Sequence, residues 1–313
     1  MEKTIKHITE KPPSSFIPQY QKLLFNENRH RLLQSSKGWQ SFYLINETNK
    51  RLLAEFHTCK MENGNYCPAK GPFSGLEFDE RLSQERLNGF VEFITNNMEK
   101  DGSTLTVKPR PAAYSPNHFS KEVYAWLSNG YSVYSQEVHG IMDVGNTSLS
   151  TILAGSEINR LNKCQKAGFE CYKSPVEEFE EIYHFTLRCR KERGQGFSMG
   201  IKQLEDLIKE YPERILLFSA RKSGKLLAAA ISMLVEQHSL YNFSHAHSKG
   251  YDDFSPVVFL MNGIYDYCKK NNINKIDLGS SSLNNKPNFP LIAFKERLGS
   301  NLSIKLQLEK HFS

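Results

Sequence analysis

The chain has 313 residues, 39% of them hydrophobic and 24% charged, with 40 lysines and arginines against 34 aspartates and glutamates. That length exceeds what one hydrophobic core usually organises, so two domains are expected. The net charge of +6 permits an anionic ligand such as a phosphate-bearing molecule, but the excess is too small to call for DNA.

The opening stretch, MEKTIKHITEKPPSSF, carries charges where a signal peptide needs an apolar centre. No apolar run approaches the roughly 20 residues that span a bilayer. The expectation is a soluble, cytoplasmic protein without a membrane span. Cys59, Cys67, Cys164, Cys171, Cys189 and Cys268 form no CxxC pair and no cluster of metal-ligand spacing, which points to reduced, mostly buried thiols and no metal.

In chain order, the residues up to Lys11-Pro12-Pro13 read as a tail. Residues 41–45 and 51–58 read as strands joined by the turn Asn46-Glu47-Thr48-Asn49. A loop containing Gly64, Pro68, Gly71, Pro72 and Gly75 is too rich in breakers for a regular element. Residues 80–98 carry apolar side chains at helical spacing, and 104–107 form a short strand. A helix over 119–127 stops at Asn129-Gly130, and 131–144 alternate as one long strand. A helix at 158–166 brings Arg160, Lys163 and Lys166 roughly onto one face, read first as a solvated basic surface.

Ser174-Pro175-Val176-Glu177 has the form of a helix start: serine cap, proline at the first position, glutamate three after the cap. The cluster Arg188, Arg190, Lys191 and Arg193 ends that helix, where cations oppose the dipole; an anion site is its second reading. A helix over 201–210 precedes three strands at 214–220, 226–236 and 240–247, the middle one apolar on both faces as a central strand should be. A buried helix from Ser255-Pro256 to about 271, a strand at 275–278, a polar loop at 279–287, a helix at 292–298 and a strand at 302–308 complete the chain.

That order, together with Lys275-Ile276-Asp277-Leu278-Gly279-Ser280 and Phe294-Lys295-Glu296-Arg297-Leu298-Gly299, resembles the FemAB-like branch of the GNAT acyltransferases. The helix Arg160–Lys166 followed by Ala167-Gly168-Phe169 is also similar to that branch, as is the Gly71-Pro72-Phe73-Ser74-Gly75 loop. The resemblance implies an α/β (α+β) chain of two tandem GNAT-like domains, 1–150 and 151–313. Each would be a mixed, mainly antiparallel sheet flanked by helices. It also implies transfer of an acetyl, acyl or aminoacyl group to an amine held in the interdomain cleft. The donor would be acyl-CoA or, alternatively, aminoacyl-tRNA, and the acceptor a small molecule or peptide. One departure is Gly250-Tyr251-Asp252-Asp253-Phe254-Ser255-Pro256, where GNAT enzymes carry a glycine-rich pyrophosphate cradle. Its two carboxylates would repel a phosphate and Pro256 removes an amide donor, which favours the alternative of a non-catalytic binding or scaffold protein.

Amine acylation needs a proton acceptor, donors for the oxyanion and a positioned acyl group. His245 and His247, two apart on a strand, face one way just before the helix at Ser255 and are candidate bases. Asp277 is a second candidate base or an orienter of histidine, and Tyr251 a proton donor to a leaving thiolate. Ser280 and Ser281 are candidates for binding a carbonyl or phosphate, Lys295 for an acidic group, and Ser255 for the cofactor. In the first domain, Arg110 and Tyr114 are candidates for substrate binding.

Overall fold

In a computed structural model describing residues 5–100, 103–283 and 286–312, the chain forms two compact units, Met1–Val138 with Ser303–Ser313 and His139–Leu302. The first unit opens with β1 (Ile5–Ile8), β2 (Ile17–Pro18), α1 (Asn28–Gln34), β3 (Trp39–Asn46), β4 (Arg51–Met61), β5 (Gly64–Cys67) and β6 (Glu77–Phe78). It continues with α2 (Gln84–Glu99), β7 (Leu105–Val107) and α3 (Pro116–Ser128). Next come β8 (Ser132–Asp143), α4 (Gly155–Lys166), β9 (Phe169–Ser174), α5 (Phe179–Lys191), α6 (Ile201–Glu210), β10 (Ile215–Lys222), β11 (Lys225–Glu236) and β12 (Ser239–His247). The last elements are α7 (Pro256–Lys270), β13 (Lys275–Ser280), β14 (Ser282–Leu283), β15 (Lys286–Pro287), α8 (Phe289–Arg297) and β16 (Asn301–Lys310).

In the first unit the strands lie in the order β1-β3-β4-β5-β7-β16, with β2 and β6 both added to β4. The helices α2 and α3 start where serine side chains replace missing backbone partners: Ser83 accepts from Arg86 N, and Ser115 from His118 N with Pro116 following. Leu87, Phe90, Val91, Ile94 and Met98 of α2 form one buried stripe. Trp126 of α3 is fully buried, its ring 5.1 Å from Phe56 and 4.7 Å from Tyr131. Leu306 and Leu308 of β16 complete this core.

In the second unit the order is β8-β13-β12-β11-β10-β9, antiparallel except for β12 with β13. The continuous apolar run of β11 is buried, and α5 and α7 both pack on it. Two features of β12 matter for the polar groups near its end. Ile231 pairs with Ser244 and Met233 with Tyr241, so Asn242 and Phe243 together oppose Ser232 in a β-bulge. Pairing with β13 covers only Ser239–Lys275, Leu240–Ile276 and Tyr241–Asp277. Beyond that point β12 continues to His247 without it, and β13 next pairs at Ser280 with His139.

The sequence expectation has no element at α1, β2 or β6 and a plain loop where β14 and β15 pair, and three further differences have a clear physical reason. Ile5–Ile8 is no tail but a strand, antiparallel to β3, with Lys6 and His7 on its exposed positions. Gly64–Cys67 forms a strand despite its neighbouring breakers, because β4 and β7 pair with it on both sides. Ser174 does not cap a helix. It pairs with Leu217 at the end of β9, its hydroxyl 2.8 Å from that of Ser219, and a 3-10 turn over Val176–Glu178 precedes α5. All six thiols are free, and all but Cys171 are buried.

Candidate functional site

The second unit holds a cavity of about 300 Å³ where the end of β12, the end of α5 and the start of α7 converge. His245, Ala246 and His247 come from β12, Cys189, Arg190, Arg193 and Gln195 from α5 and its exit, and Ser255 and Val257 from the opening of α7. Arg160 of α4 and Leu291 and Phe294 of α8 complete the lining. Three arginines and two histidines therefore line one cavity together with the apolar Ala246, Val257, Leu291 and Phe294.

The imidazoles are in different environments. The β12 bulge reverses the alternation of faces, so Asn242, three residues before His245, reaches it: Asn242 Nδ2 lies 3.2 Å from His245 Nδ1. An amide N–H can only donate, so in this arrangement His245 Nδ1 accepts and Nε2 carries the proton. Burial, with Lys295 and His247 nearby, lowers the His245 pKa to about 4, which keeps the ring neutral at pH 7.

His247 Nε2 lies 2.9 Å from Asp252 Oδ1 and 3.1 Å from Arg193 Nη2, and Arg193 itself donates to Asp252 at 3.0 Å and to the His247 carbonyl at 2.9 Å. Burial and the Arg193 charge lower the His247 pKa, against the pull of Asp252. Nε2 cannot both accept from Arg193 and donate to Asp252; in the tautomer that donates to Asp252, the Nδ1 lone pair is left for a proton. The Asp252 carboxylate, which the sequence sets against a phosphate, is thus matched by Arg193 within hydrogen-bonding distance.

Arg190 donates from Nε to the Gly196 carbonyl at 2.7 Å. Arg160 is bound to the fully buried Glu157, which also accepts from Arg297 at 2.9 Å. Ser255 sits at φ 53 and ψ 61 with no side-chain cap hydrogen bond, a left-handed conformation that serine rarely adopts.

Asp277 and Lys295 occupy a separate, buried polar cluster beside β13. Asp277 accepts from Gly279 N at 2.7 Å and lies 3.0 Å from His139 Nδ1. Lys295 Nζ donates to the carbonyls of Gly279 at 2.6 Å and Ser280 at 3.0 Å, and burial brings its pKa down to about 8 against the opposing pull of Asp277. Its stem passes so close to Gly140 that an added Cβ there would lie 2.8 Å from Lys295 Cδ. Lys295 thereby closes the end of β13 where it leaves β12. Ser280 Oγ accepts from Ser282 N at 3.1 Å, and the Ser281 hydroxyl is buried without a hydrogen bond among the described residues.

His245, His247 and Ser255 are brought together in the cavity; Asp277, Ser280, Ser281 and Lys295 are not among its lining residues. Tyr251 packs with Phe169 and Phe254 and lies under Lys225, an aromatic contact set that occupies its ring. Arg110 is buried in the first unit against Glu77 Oε2 at 2.6 Å, and Tyr114 is stacked edge-on to Phe73. Arg160 reads from the sequence as solvated surface, and no local pattern points to Asn242 or to His139 as the partner of Asp277. Arg190 and Arg193 are legible there only as a basic helix end.

Solved structures share this architecture. FemX matches over 97% of this chain and 96% of its own, with a TM-score of 0.69 and 12% identity. The fold is that of FemX. L-PGS from Bacillus licheniformis matches with a TM-score of 0.59 and 13% identity over 87% of this chain and 83% of its own. A GCN5-related N-acetyltransferase from Sphaerobacter thermophilus matches at 0.51 and 10% identity, over 98% and 95% respectively. These likenesses show a fold shared with FemX and with a GCN5-related N-acetyltransferase. No family model matches the sequence, and no curated protein matches it. No helix among the described residues is long and apolar enough to cross a membrane.

Proposed function

We propose that the second unit is an N-acyltransferase, moving an acetyl, other acyl or aminoacyl group from an activated donor to the amine of a small molecule or peptide. The observation that carries this reading is the convergence of three arginines and two histidines on one cavity at the end of β12, beyond its pairing with β13. The FemX-like fold adds to it.

Arg160, Arg190 and Arg193 suit the phosphates of a donor, which acyl-CoA and aminoacyl-tRNA both carry, through charge-assisted hydrogen bonds. His247, oriented by Asp252, takes the proton that the attacking amine sheds; His245 offers its Nε2–H to the oxygen that becomes negative as the amine nitrogen bonds to the carbonyl carbon. The bond from that carbon to the donor's sulfur or oxygen then breaks. Asp277, Lys295 and Ser280 fix the end of β13 and so act on the site by positioning.

The test is transfer of a radiolabelled acyl group, from acetyl-CoA or from aminoacyl-tRNA, into a panel of peptide and amino-sugar amines. Labelled amide should form with release of free thiol or deacylated tRNA, and His247→Gln should slow it about 100-fold or more. Label transfer equal in the native protein and in His247→Gln would refute the assignment of the base. No transfer from either donor would refute the activity.

A further inference from the structure

The first unit contains a cluster that plays no part in the acyl transfer proposed for the second. Ser41 of β3 and His57 of β4 are directly opposed across the antiparallel ladder, and Glu55 lies two residues from His57 on the same face of β4. Ser41 Oγ is 2.8 Å from His57 Nδ1, and His57 Nε2 is 3.5 Å from Glu55 Oε2. The other Glu55 oxygen, Oε1, is held by Lys22 at 2.5 Å, which fixes the carboxylate beside the ring. His57 and Glu55 are buried, whereas Ser41 opens into a cavity of about 520 Å³.

Arg31 and Trp39 line the same cavity. Arg31 Nη1 donates to Ser41 Oγ at 3.3 Å and Nη2 to Asn28 Oδ1 at 3.3 Å, while Nε has no hydrogen-bond partner among the described residues. Its guanidinium lies over the Trp39 ring, 5.4 Å from the centroid. A nucleophile, a base within hydrogen-bond reach and a third group behind the base are the parts of an activated serine. A charged donor beside the hydroxyl and an aromatic wall supply a place for an anionic substrate.

We propose that this is a second site, an esterase centre for a small carboxylate-bearing ester, in which Ser41 is the nucleophile, His57 its base, Glu55 the group that positions His57, and Arg31 the anchor for the substrate's carboxylate. Burial lowers the His57 pKa to about 4, so Nδ1 holds a free lone pair at neutral pH. Ser41 Oγ attacks the ester carbonyl carbon as its proton passes to His57 Nδ1. The carbon–oxygen bond to the alcohol breaks, and His57 returns the proton to the departing alkoxide. Water then attacks the acyl-serine, its proton moving through His57 to Ser41, and the acid leaves.

The test uses the full chain. A fluorophosphonate probe followed by mass-spectrometric mapping should place a covalent adduct on Ser41. Hydrolysis of p-nitrophenyl hemisuccinate should fall about 100-fold or more in Ser41→Ala, a substitution small enough to leave the fold intact by circular dichroism. Arg31→Met should slow the hemisuccinate at least about tenfold more than the neutral p-nitrophenyl acetate. Glu55, Lys22, Arg31 and Tyr43 are the charged or titratable groups facing His57. Since Glu55 raises the His57 pKa, Glu55→Gln should move the acid limb of the rate profile to lower pH; a merely structural glutamate would change the rate without moving the limb. No adduct on Ser41, or hemisuccinate hydrolysis in Ser41→Ala at the native rate, would overturn the proposal.

Discussion

His245 shows how far a residue's neighbours override its type. A free histidine titrates near 6.5, in reach of physiological pH, but burial and the nearby cations Lys295 and Arg190 lower this one to about 4. Its contribution to stability has a definite sign. The folded value lies below the unfolded one, so the unfolded chain binds the extra proton between about pH 6.5 and 4, and stability is lost as pH falls through that window. Nuclear magnetic resonance titration should find the His245 ring protonating near pH 4. A midpoint near 6.5 would contradict the desolvated, Asn242-bound state. The same residue marks the limit of sequence reading. Two histidines at a spacing of two are visible as a pair. The contact from Asn242 is not, because three residues along a regular strand point to opposite faces, and only the bulge reverses them. His139 and Asp277 are likewise 138 positions apart, beyond any local pattern.

Among elements, the strands β10, β11 and β12 and the helices α2, α6 and α7 are legible in the sequence because their apolar periodicities are long and uninterrupted. β1 and β5 are not: each is four residues long, β1 is held by the distant β3, and β5, which follows β4 through a tight turn, is held on its other side by the distant β7. The start of α7 is the informative exception. The sequence places it correctly at Ser255-Pro256, yet Ser255 adopts a left-handed conformation and makes no cap. A glycine there avoids the steric cost that a Cβ carries, offset in part by its greater freedom when unfolded. Ser255→Gly should therefore raise the stability of the folded chain by about 0.5–1 kcal/mol in urea titration. Because Ser255 lines the cavity, the same substitution should weaken donor binding. A loss of stability would show that the Ser255 side chain has a supporting contact.

At the scale of the whole molecule, the chain returns after the second unit to complete the first. Residues 303–313 belong to the unit that begins at the N-terminus, where Leu308 of β16 is fully buried and β16 pairs with β7 through Leu308–Val107 and its neighbours. Removing them strips two core leucines, each worth about 2–5 kcal/mol on truncation to alanine, and exposes a strand edge. A chain ending at Leu302 should lose hydrogen-exchange protection throughout β4, β5 and β7. Retained protection in those strands would contradict the assignment of β16 to the first unit.

The central functional claim is that the cavity between β12, α5 and α7 binds an activated, phosphate-bearing acyl donor. Calorimetric titration of the native protein and of Arg190→Ala, with acetyl-CoA and with aminoacyl-tRNA as titrants, tests it most directly. Saturable heat is expected from at least one donor, with an affinity at least about tenfold weaker in Arg190→Ala. Absence of binding by both donors, or binding indifferent to Arg190, would contradict the claim.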